Sequence, residues 1–463
     1  MKNLLLSLGS ITLALALATP SIAGATQPLE EFITGAKGHA YDAREQGAAK
    51  DQRDWEKAAA LGRLLPSFTA RGVYTRNQYR VAIPAGSFGP GSPEAVIQKY
   101  DGLTALLQLD VPLVDLANYY RYKQAKHMAE AQEAQMSLTQ NDLTRGVARS
   151  YYNFLGASAL VESAERALKI ANENFEYVST RRGAGVATDL DLERARANVE
   201  LSKQNIADAE LARSLSARSL ETLTGLKPEP ANAFPQDDLQ GEGDLNAWLN
   251  AKDTPTDQLN AKIQEAAVAG KRAAAFSLAP TLSANAQEQF TNQVGFVGRN
   301  NYYLLQVVLS WRLDYAVYAQ AQAQAAANNM QVIRNERSRR LLEDTIFEAY
   351  RRVEAGIAKS KAARAQATAA KKAADLASER YQAGASTQLD VTQAQKEAFS
   401  AEANRIQADA DLASSRISLR VAAGKALSLA HSSSALPAEA PPPPPPAPAS
   451  DSAAQPAPSD TAR

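Results

Sequence analysis

The spacing of apolar residues alternates between two periods along the chain and predicts strands followed by very long helices. Apolar residues fall at every second position over 68–75, and most clearly over 103–113, as in a strand with one apolar face. Residues 116–182 then show helical spacing without proline, and at about 1.5 Å per residue they would span roughly 100 Å. A globular core does not need a helix of that length, so we predict the wall of a coiled coil or tunnel.

The first half also contains a helical segment, a loop and a return helix. Residues 24–63 have helical spacing that three glycines interrupt, and the glycine- and proline-rich residues 77–101 predict a loop between the two strands. The long helix is predicted to break at 182–185. Thr188, with one of the two aspartates that follow it, is the predicted N-cap of a return helix that closes at Gly225.

The second half repeats this plan. It predicts a helix over 255–276, strands over 282–290 and 303–313, a long helix over 314–382 and a return helix that ends at Gly424. The helical parts of the two halves align without gaps at an offset of 199 positions, and turn glycines and aspartates match in that register. Similar composition alone would not place them so, and we infer a tandem repeat. The strands align at an offset of 200, which either a bulge or a local misalignment would explain.

The two ends of the chain differ from the repeats in composition. Lys2, an apolar run over 4–18 and the small residues around Ala23 predict a signal peptide, because a membrane-spanning anchor needs about 20 apolar residues. A hexaproline at 441–446 predicts a disordered tail. The predicted division is a signal peptide (1–23), a first repeat (24–226), a linker (227–254), a second repeat (255–425) and the tail (426–463).

Composition and charge exclude several function classes. The chain has 50 basic and 50 acidic residues, so a nucleic-acid partner has no electrostatic support. It has no cysteine, which excludes disulfides, thiolate ligands and a lipid-anchored N-terminal cysteine. Its three histidines are scattered in the sequence, and no nucleophile–base pair or phosphate-binding loop occurs. We therefore expect no enzyme activity, no cofactor and no metal site.

The four predicted strands of one chain are too few to close a membrane barrel, because the smallest known barrels use about eight. Three copies would supply twelve. The apolar faces of the second and fourth strands then predict lipid contact, although they would also suit the core of a soluble sheet. The residues expected to face lipid are Leu107, Leu109, Leu305 and Val307, and those expected in an aromatic girdle are Trp311, Tyr74, Tyr302 and Tyr303.

The ordered set of features resembles the TolC-like outer membrane factors. It comprises the tandem repeat, the proline-containing lead into each first strand at 65–67 and 279–281, an aspartate at each strand-to-helix switch, and the helix-tip segments 182–191 and 381–391. The resemblance implies a mixed α and β membrane protein. In this fold a homotrimer builds a twelve-stranded β-barrel in outer-membrane lipid, and a long α-helical coiled-coil barrel continues it through the periplasm.

The resemblance also implies a function and partners. The trimer would be the passive exit duct of a tripartite efflux pump or a type I secretion system. A periplasmic adaptor would dock on the helix tips and connect the duct to an inner-membrane transporter of the RND, ABC or MFS type. Tip residues that match this role are Arg182, Gly183, Gly185, Thr188, Gly384 and Thr387.

A periplasmic gate is implied by the same resemblance. Its matching positions are Asp390, Tyr381 and Asp191, while Gln393 and Ser386 stand where the family has a second gate aspartate and a linking arginine. Three copies of Asp390 around a threefold axis would favour cations and raise the pKa of that carboxyl. The alternative is that both aspartates only stabilise the first turn of their helices.

Two rival functions remain at this point. A periplasmic adaptor also contains a helical hairpin, but adaptors carry one hairpin between β-rich domains, whereas this sequence duplicates a strand–helix unit. The second rival is a structural coiled-coil protein or adhesin without a pore, and conductance of the purified protein in planar bilayers would separate it from a channel. We favour the channel over both.

Overall fold

The computed structural model of the chain describes residues 27–229, 234, 237–250, 253–294 and 299–425. The predicted signal peptide and tail lie outside the described residues, and so does part of the predicted linker. The helices are α1 (Leu29–His39), α2 (Tyr41–Gly62), α3 (Leu116–Gly183), α4 (Asp189–Thr224), α5 (Leu245–Leu249), α6 (Pro255–Phe276), α7 (Tyr315–Gln382) and α8 (Gln388–Ala422). The strands are β1 (Ser67–Arg76), β2 (Val81–Ile83), β3 (Ala95–Gln98), β4 (Asp101–Val114), β5 (Thr281–Thr291) and β6 (Asn301–Ser310).

The strands from both repeats join in one antiparallel sheet with the order β1-β4-β5-β6. Each repeat contributes two neighbouring strands, and β4 pairs with β5 across the boundary between repeats. Strands β1 and β6 lie at the two edges, each with one partner strand within the described chain. The four strands predicted from alternation are therefore confirmed as one sheet.

Two strand predictions need correction. The loop predicted over 77–101 contains a short antiparallel hairpin of β2 and β3, in which Ala82 pairs with Val96 and Ile83 with Ala95 despite the surrounding glycines and prolines. Strand β6 ends at Ser310, so Trp311 and Leu313 lie beyond it. Its partner strand β5 begins opposite Ser310, at Thr281, and the indole nitrogen of Trp311 donates to the Leu278 carbonyl at 3.0 Å just before that strand.

A β-bulge accounts for the different offsets of strands and helices. The pairing of β4 with β5 shifts between Pro112 and Val114, so that Leu113 has no partner position in β5. Counted from strand positions that match at the offset of 200, the first repeat therefore has one more residue before Asp115 than the second repeat has before Asp314. The bulge interpretation is therefore confirmed.

Helices α3 and α7 each contain 68 residues, as the uninterrupted helical spacing predicts. Each begins after an aspartate whose side chain accepts a backbone hydrogen bond from the first turn, Asp115 from Asn118 and Asp314 from Ala316. One half of α3 packs against α2 and α6, and the other half against α4 and α8. Helix α7 packs against α6 and then α8, so each long helix passes through two successive layers.

The first helical segment breaks at a position that the sequence did not predict. Helices α1 and α2 separate at Ala40, which has an extended ψ of 136°, and not at a glycine. Gly35 lies inside α1, at the point where this helix passes close to Leu226, which follows α4. A Cβ there would stand 2.9 Å from the Leu226 side chain. This glycine thus serves packing and does not interrupt the helix.

The core is divided into small clusters along the helices. Helix α1 packs Phe32 and Ile33 against Val147 and Tyr151 of α3, and Leu220 of α4 joins them. A second cluster seats Trp248 on α7 and α8. Among the described helices, none combines the length and the apolar character that a bilayer crossing requires.

Candidate functional site

The two helix tips are built by the same local motif. Thr188 caps α4 and Thr387 caps α8, and each threonine forms a capping box with the aspartate three residues later. Gly185 and Gly384 precede the caps with φ of 76° and 79°, in the left-handed region that glycine adopts without strain. The threonine cap predicted for α4 is confirmed, and Asp191 rather than Asp189 completes it.

Asp390 is exposed at the tip of α8, and its carboxylate is held by Thr387. Its Oδ2 accepts from the Thr387 backbone nitrogen at 2.9 Å and from the hydroxyl at 2.8 Å. The backbone hydrogen bond is the main reason that the pKa of Asp390 lies below its ordinary value. A threefold ring of aspartates was expected to raise this pKa instead. That expectation concerns the trimer, whereas the lowered pKa belongs to the single chain. Gln393 lies one turn further and donates to Glu397 at 2.8 Å.

Tyr381 is buried where the two helical hairpins meet. Its ring makes an edge contact with Tyr177 at 6.0 Å between centroids, and the Arg181 guanidinium lies 5.1 Å from the Tyr381 ring centre. Arg181 also donates to the Tyr381 carbonyl at 3.1 Å. Burial, followed by the charge of Asp191, raises the pKa of the Tyr381 hydroxyl. The structure thus places the charge of Asp191 near Tyr381, and Tyr381 belongs with Tyr177 and Arg181 to an aromatic–cation contact between hairpins.

The tip also contains contacts that sequence reasoning missed. Arg182 forms an ion pair with Asp189 at 2.5 Å across the first turn, and the Ser386 hydroxyl donates to the Ala377 carbonyl at 3.2 Å in the second. Asn198 donates to Gln395 at 2.8 Å, which joins α4 to α8. Gln388 is only 1% exposed, and both polar atoms of its side chain lack a partner among the described residues. No local sequence signal marks the contact between Asn198 and Gln395, because it depends on which helices become neighbours.

A groove of about 790 Å³ lies between the two hairpins and reaches Ser378, four residues before the end of α7. All four helices of the hairpins line it, and Phe399 forms an apolar patch among charged residues. Basic residues alternate with acidic ones along the groove; these are Arg166, Lys371, Lys396, Glu173, Asp375 and Glu402. A mixed surface of this kind suits a helical protein partner better than a small apolar ligand.

One face of the sheet is apolar, as the alternation predicts. Residues paired across neighbouring strands point to the same face, so Leu109 and Leu305 share it with Ala286 between them. Leu107 lies on this face of β4 and Val307 on this face of β6. Leu305 and Val307 are among the most exposed apolar side chains of the sheet.

Two residues depart from the predicted apolar face. Glu288 pairs with Leu107 and Tyr303 and therefore stands within it. Tyr302 lies on the opposite face, where its hydroxyl donates to Gln289 at 2.7 Å. Tyr302 and Tyr303 therefore lie on opposite faces of the sheet, so one aromatic girdle cannot contain both.

His127 is not isolated, although the three histidines are scattered in the sequence. Its Nδ1 lies 3.2 Å from Glu130 and 3.0 Å from Glu265, and the three potential ligand atoms lie within 4.8 Å of one another. The Lys262 ammonium lies 3.1 and 2.9 Å from the same carboxylates. Because that ammonium takes the place of a cation between the acids, we interpret the group as an ion-pair network joining α3 and α6.

Comparison with known proteins adds to this geometry. A family model described as outer membrane efflux protein matches residues 36–226 and 258–425. No curated protein matches the sequence. Among solved structures, the Campylobacter jejuni CmeC outer membrane channel is 16% identical with a TM-score of 0.72, over 91% of this chain and 94% of that chain. VceC of Vibrio cholerae is 17% identical with a TM-score of 0.70 over 86% and 96%, and CusC is 17% identical with a TM-score of 0.74 over 86% and 92%.

Proposed function

Since the chain belongs to the outer membrane efflux protein family, we propose that it is one subunit of a trimeric outer-membrane channel, the passive exit duct of an efflux pump or type I secretion system. The observation that carries this proposal is the sheet itself. It has an exposed apolar face and two open edges, and an open edge is not tolerated in lipid. Three sheets joined edge to edge would close a barrel of twelve strands, with the apolar face in contact with outer-membrane lipid.

The helices support the same assembly. In the layer that contains the hairpins, α3 and α8 are neighbours, so α4 and α7 lie at the two outer edges. Helix α4 exposes Leu211 and Leu215, which are 57% and 62% accessible and lie on the side away from its buried residues. Helix α7 exposes Ile333, Phe347 and Leu376. Packing α4 of one copy against α7 of the next would cover both edges and form the coiled-coil barrel.

The tips support docking and gating roles. We propose that a periplasmic adaptor contacts Arg182, Gly183, Gly185, Thr188, Gly384 and Thr387, and that the groove between the hairpins extends this surface. The adaptor would connect the duct to an inner-membrane transporter. We assign the periplasmic gate to Asp390, with Gln393 one turn above it and with Tyr381 and Asp191 in the supporting contact between hairpins.

Disrupting the proposed seam between subunits tests the channel directly. Replacing Leu211→Glu together with Leu215→Glu places two carboxylates where an apolar neighbour is proposed, so we expect loss of the detergent-resistant trimer and of conductance in planar bilayers. The matched control is Leu190→Glu with Leu389→Glu, which adds the same charges at exposed tip positions outside the seam. That control is expected to keep the detergent-resistant trimer; its conductance is not compared, because Leu389 adjoins the proposed gate residue Asp390.

The same measurement separates the channel from a non-pore adaptor or structural coiled coil. Wild-type protein that forms no trimer and passes no current in bilayers would contradict the duct. If the variant with both glutamates on α4 still forms the trimer, the channel proposal stands, but α4 is not part of the contact between subunits.

A further inference from the structure

A second groove, of about 680 Å³, lies where α3, α7 and α8 meet. Small residues form much of its lining, including Gly356, which lets α7 approach Leu412 of α8 closely. The charged residues that line it are unequal in number. Four are basic and two are acidic; they are Arg145, Arg149, Arg352, Lys359, Glu348 and Asp411.

The groove lies on the side of the helical layer opposite to α1 and to residues 237–250. Arg149 stands two residues from both Val147 and Tyr151, which pack against α1, and at about 100° per residue it points away from them. Likewise Glu348 and Arg352 stand two residues on either side of Tyr350, which packs near Trp248. Because α1 and residues 237–250 would obstruct a tunnel, the face they cover is the outer one. In the proposed tunnel, the groove would therefore line the interior.

Most of the charges in the groove are already paired. Arg352 donates to Glu348 at 2.6 Å, Lys359 lies 3.5 Å from Asp411, and Arg145 is paired with Asp142 at the rim. Arg149 is exposed and has no carboxylate partner within ion-pair distance among the described residues. The unpaired guanidinium of Arg149, beside three paired cations, leaves the groove with an excess of positive charge. A planar guanidinium can donate two parallel hydrogen bonds to carboxylate or phosphate oxygens.

We propose that this groove is a binding site for anionic groups of transported cargo, namely carboxylates and phosphates. The proposal rests on the tunnel function proposed above, since only a tunnel brings cargo to this face. In a trimer, three such grooves would form a basic belt within the helical barrel. Low-dielectric walls would focus its field and raise the local concentration of anions. Arg149 provides the free contact, and Arg145, Arg352 and Lys359 enlarge the field.

The test measures ion selectivity and anion block on purified trimer in planar bilayers. With Arg149→Gln, we expect the reversal potential in a KCl gradient to move towards cation selectivity and the affinity for blocking tripolyphosphate to fall about tenfold. Arg149→Glu should move both further in the same direction. The control is Lys37→Gln, which removes one exposed cation from α1 on the opposite side of the layer and should change neither quantity.

The outcomes separate this site from the function on which it rests. Wild-type protein without conductance would overturn the channel itself. A conducting trimer in which the Arg149 variants keep wild-type selectivity and block would overturn the anion site and leave the channel intact. If Lys37→Gln changes the reversal potential and the block as much as Arg149→Gln does, the effect is a general one of charge, and the anion site is overturned.

Discussion

Asp191 and Asp390 occupy the same motif but have different surroundings. Both complete a capping box with a threonine, so both stabilise the first turn of a helix. The charge of Asp191 acts on the buried Tyr381, whereas the only groups that set the pKa of Asp390 besides its solvation belong to Thr387. The capping role that the sequence offered as the alternative to a gate is thus present in both. A gate role for Asp390 must therefore be measured as a difference between the two aspartates.

The gate assignment predicts unequal effects of two matched substitutions. Asp390→Ala and Asp191→Ala each remove one capping box, so both should weaken their helix tips to a similar degree. Only Asp390→Ala is expected to raise basal conductance and to weaken block by multivalent cations, because only Asp390 is assigned to the constriction. Single-channel recordings of both variants provide the comparison. Equal conductance changes in the two would show that lost capping, not a gate charge, is responsible.

The pKa of Asp390 sets the pH range of that block. A carboxyl whose pKa is lowered in the folded state contributes its stabilisation above the unfolded value, and this is lost as pH falls through the folded value. If the capping box dominates, cation block should persist through the ordinary range of an aspartate carboxyl and disappear only at pH below that range, because the pKa of Asp390 is lowered. Titration of block by hexaamminecobalt measures this directly. Loss of block at a pH above the ordinary aspartate range would mean that repulsion within the ring outweighs the capping box.

Helices α7 and α8 approach most closely at a glycine. A Cβ at Gly356 would stand 3.2 Å from the Cδ1 of Leu412, a side chain that is fully buried and also packs near Trp248. The sequence shows Gly356 only as an interruption in a helical pattern. Its packing role depends on the partner helix, and the repeat alignment does not reveal it. The sequence alone does not predict such contacts between helices.

A double-mutant cycle measures this contact. Leu412→Ala should cost about 2–5 kcal/mol of unfolding free energy, because it opens a cavity between the helices. Gly356→Ala gains about 1 kcal/mol of helix propensity but crowds Leu412, so alone it should be nearly neutral. In the Leu412→Ala background the crowding is gone, and the same change should stabilise. Urea unfolding followed by circular dichroism gives the coupling. Additive effects would contradict the close approach.

Across the molecule, the sequence was most informative where the signal is periodic or local. The lengths of α3 and α7, the four strands of the sheet and the threonine cap of α4 followed from spacing and composition. The pairing of β4 with β5, the position of Arg181 between two tyrosines and the basic groove did not, because residues far apart in sequence form them. Division at 24–226 and 255–425 remains a prediction, although β4 and β5 already join the two repeats in one sheet.

The bulge at Leu113 has a consequence for the rotational phase of the helices. One residue added inside a helix turns everything beyond it by about 100°. Had the additional residue of the first repeat entered α3, Val147 and Tyr151 would have turned away from α1, and Arg149 would have turned away from the basic groove. The bulge takes up that residue in β4, before Asp115 starts the helix. The position at which β4 ends thus determines the direction in which the side chains of the 68-residue helix α3 point.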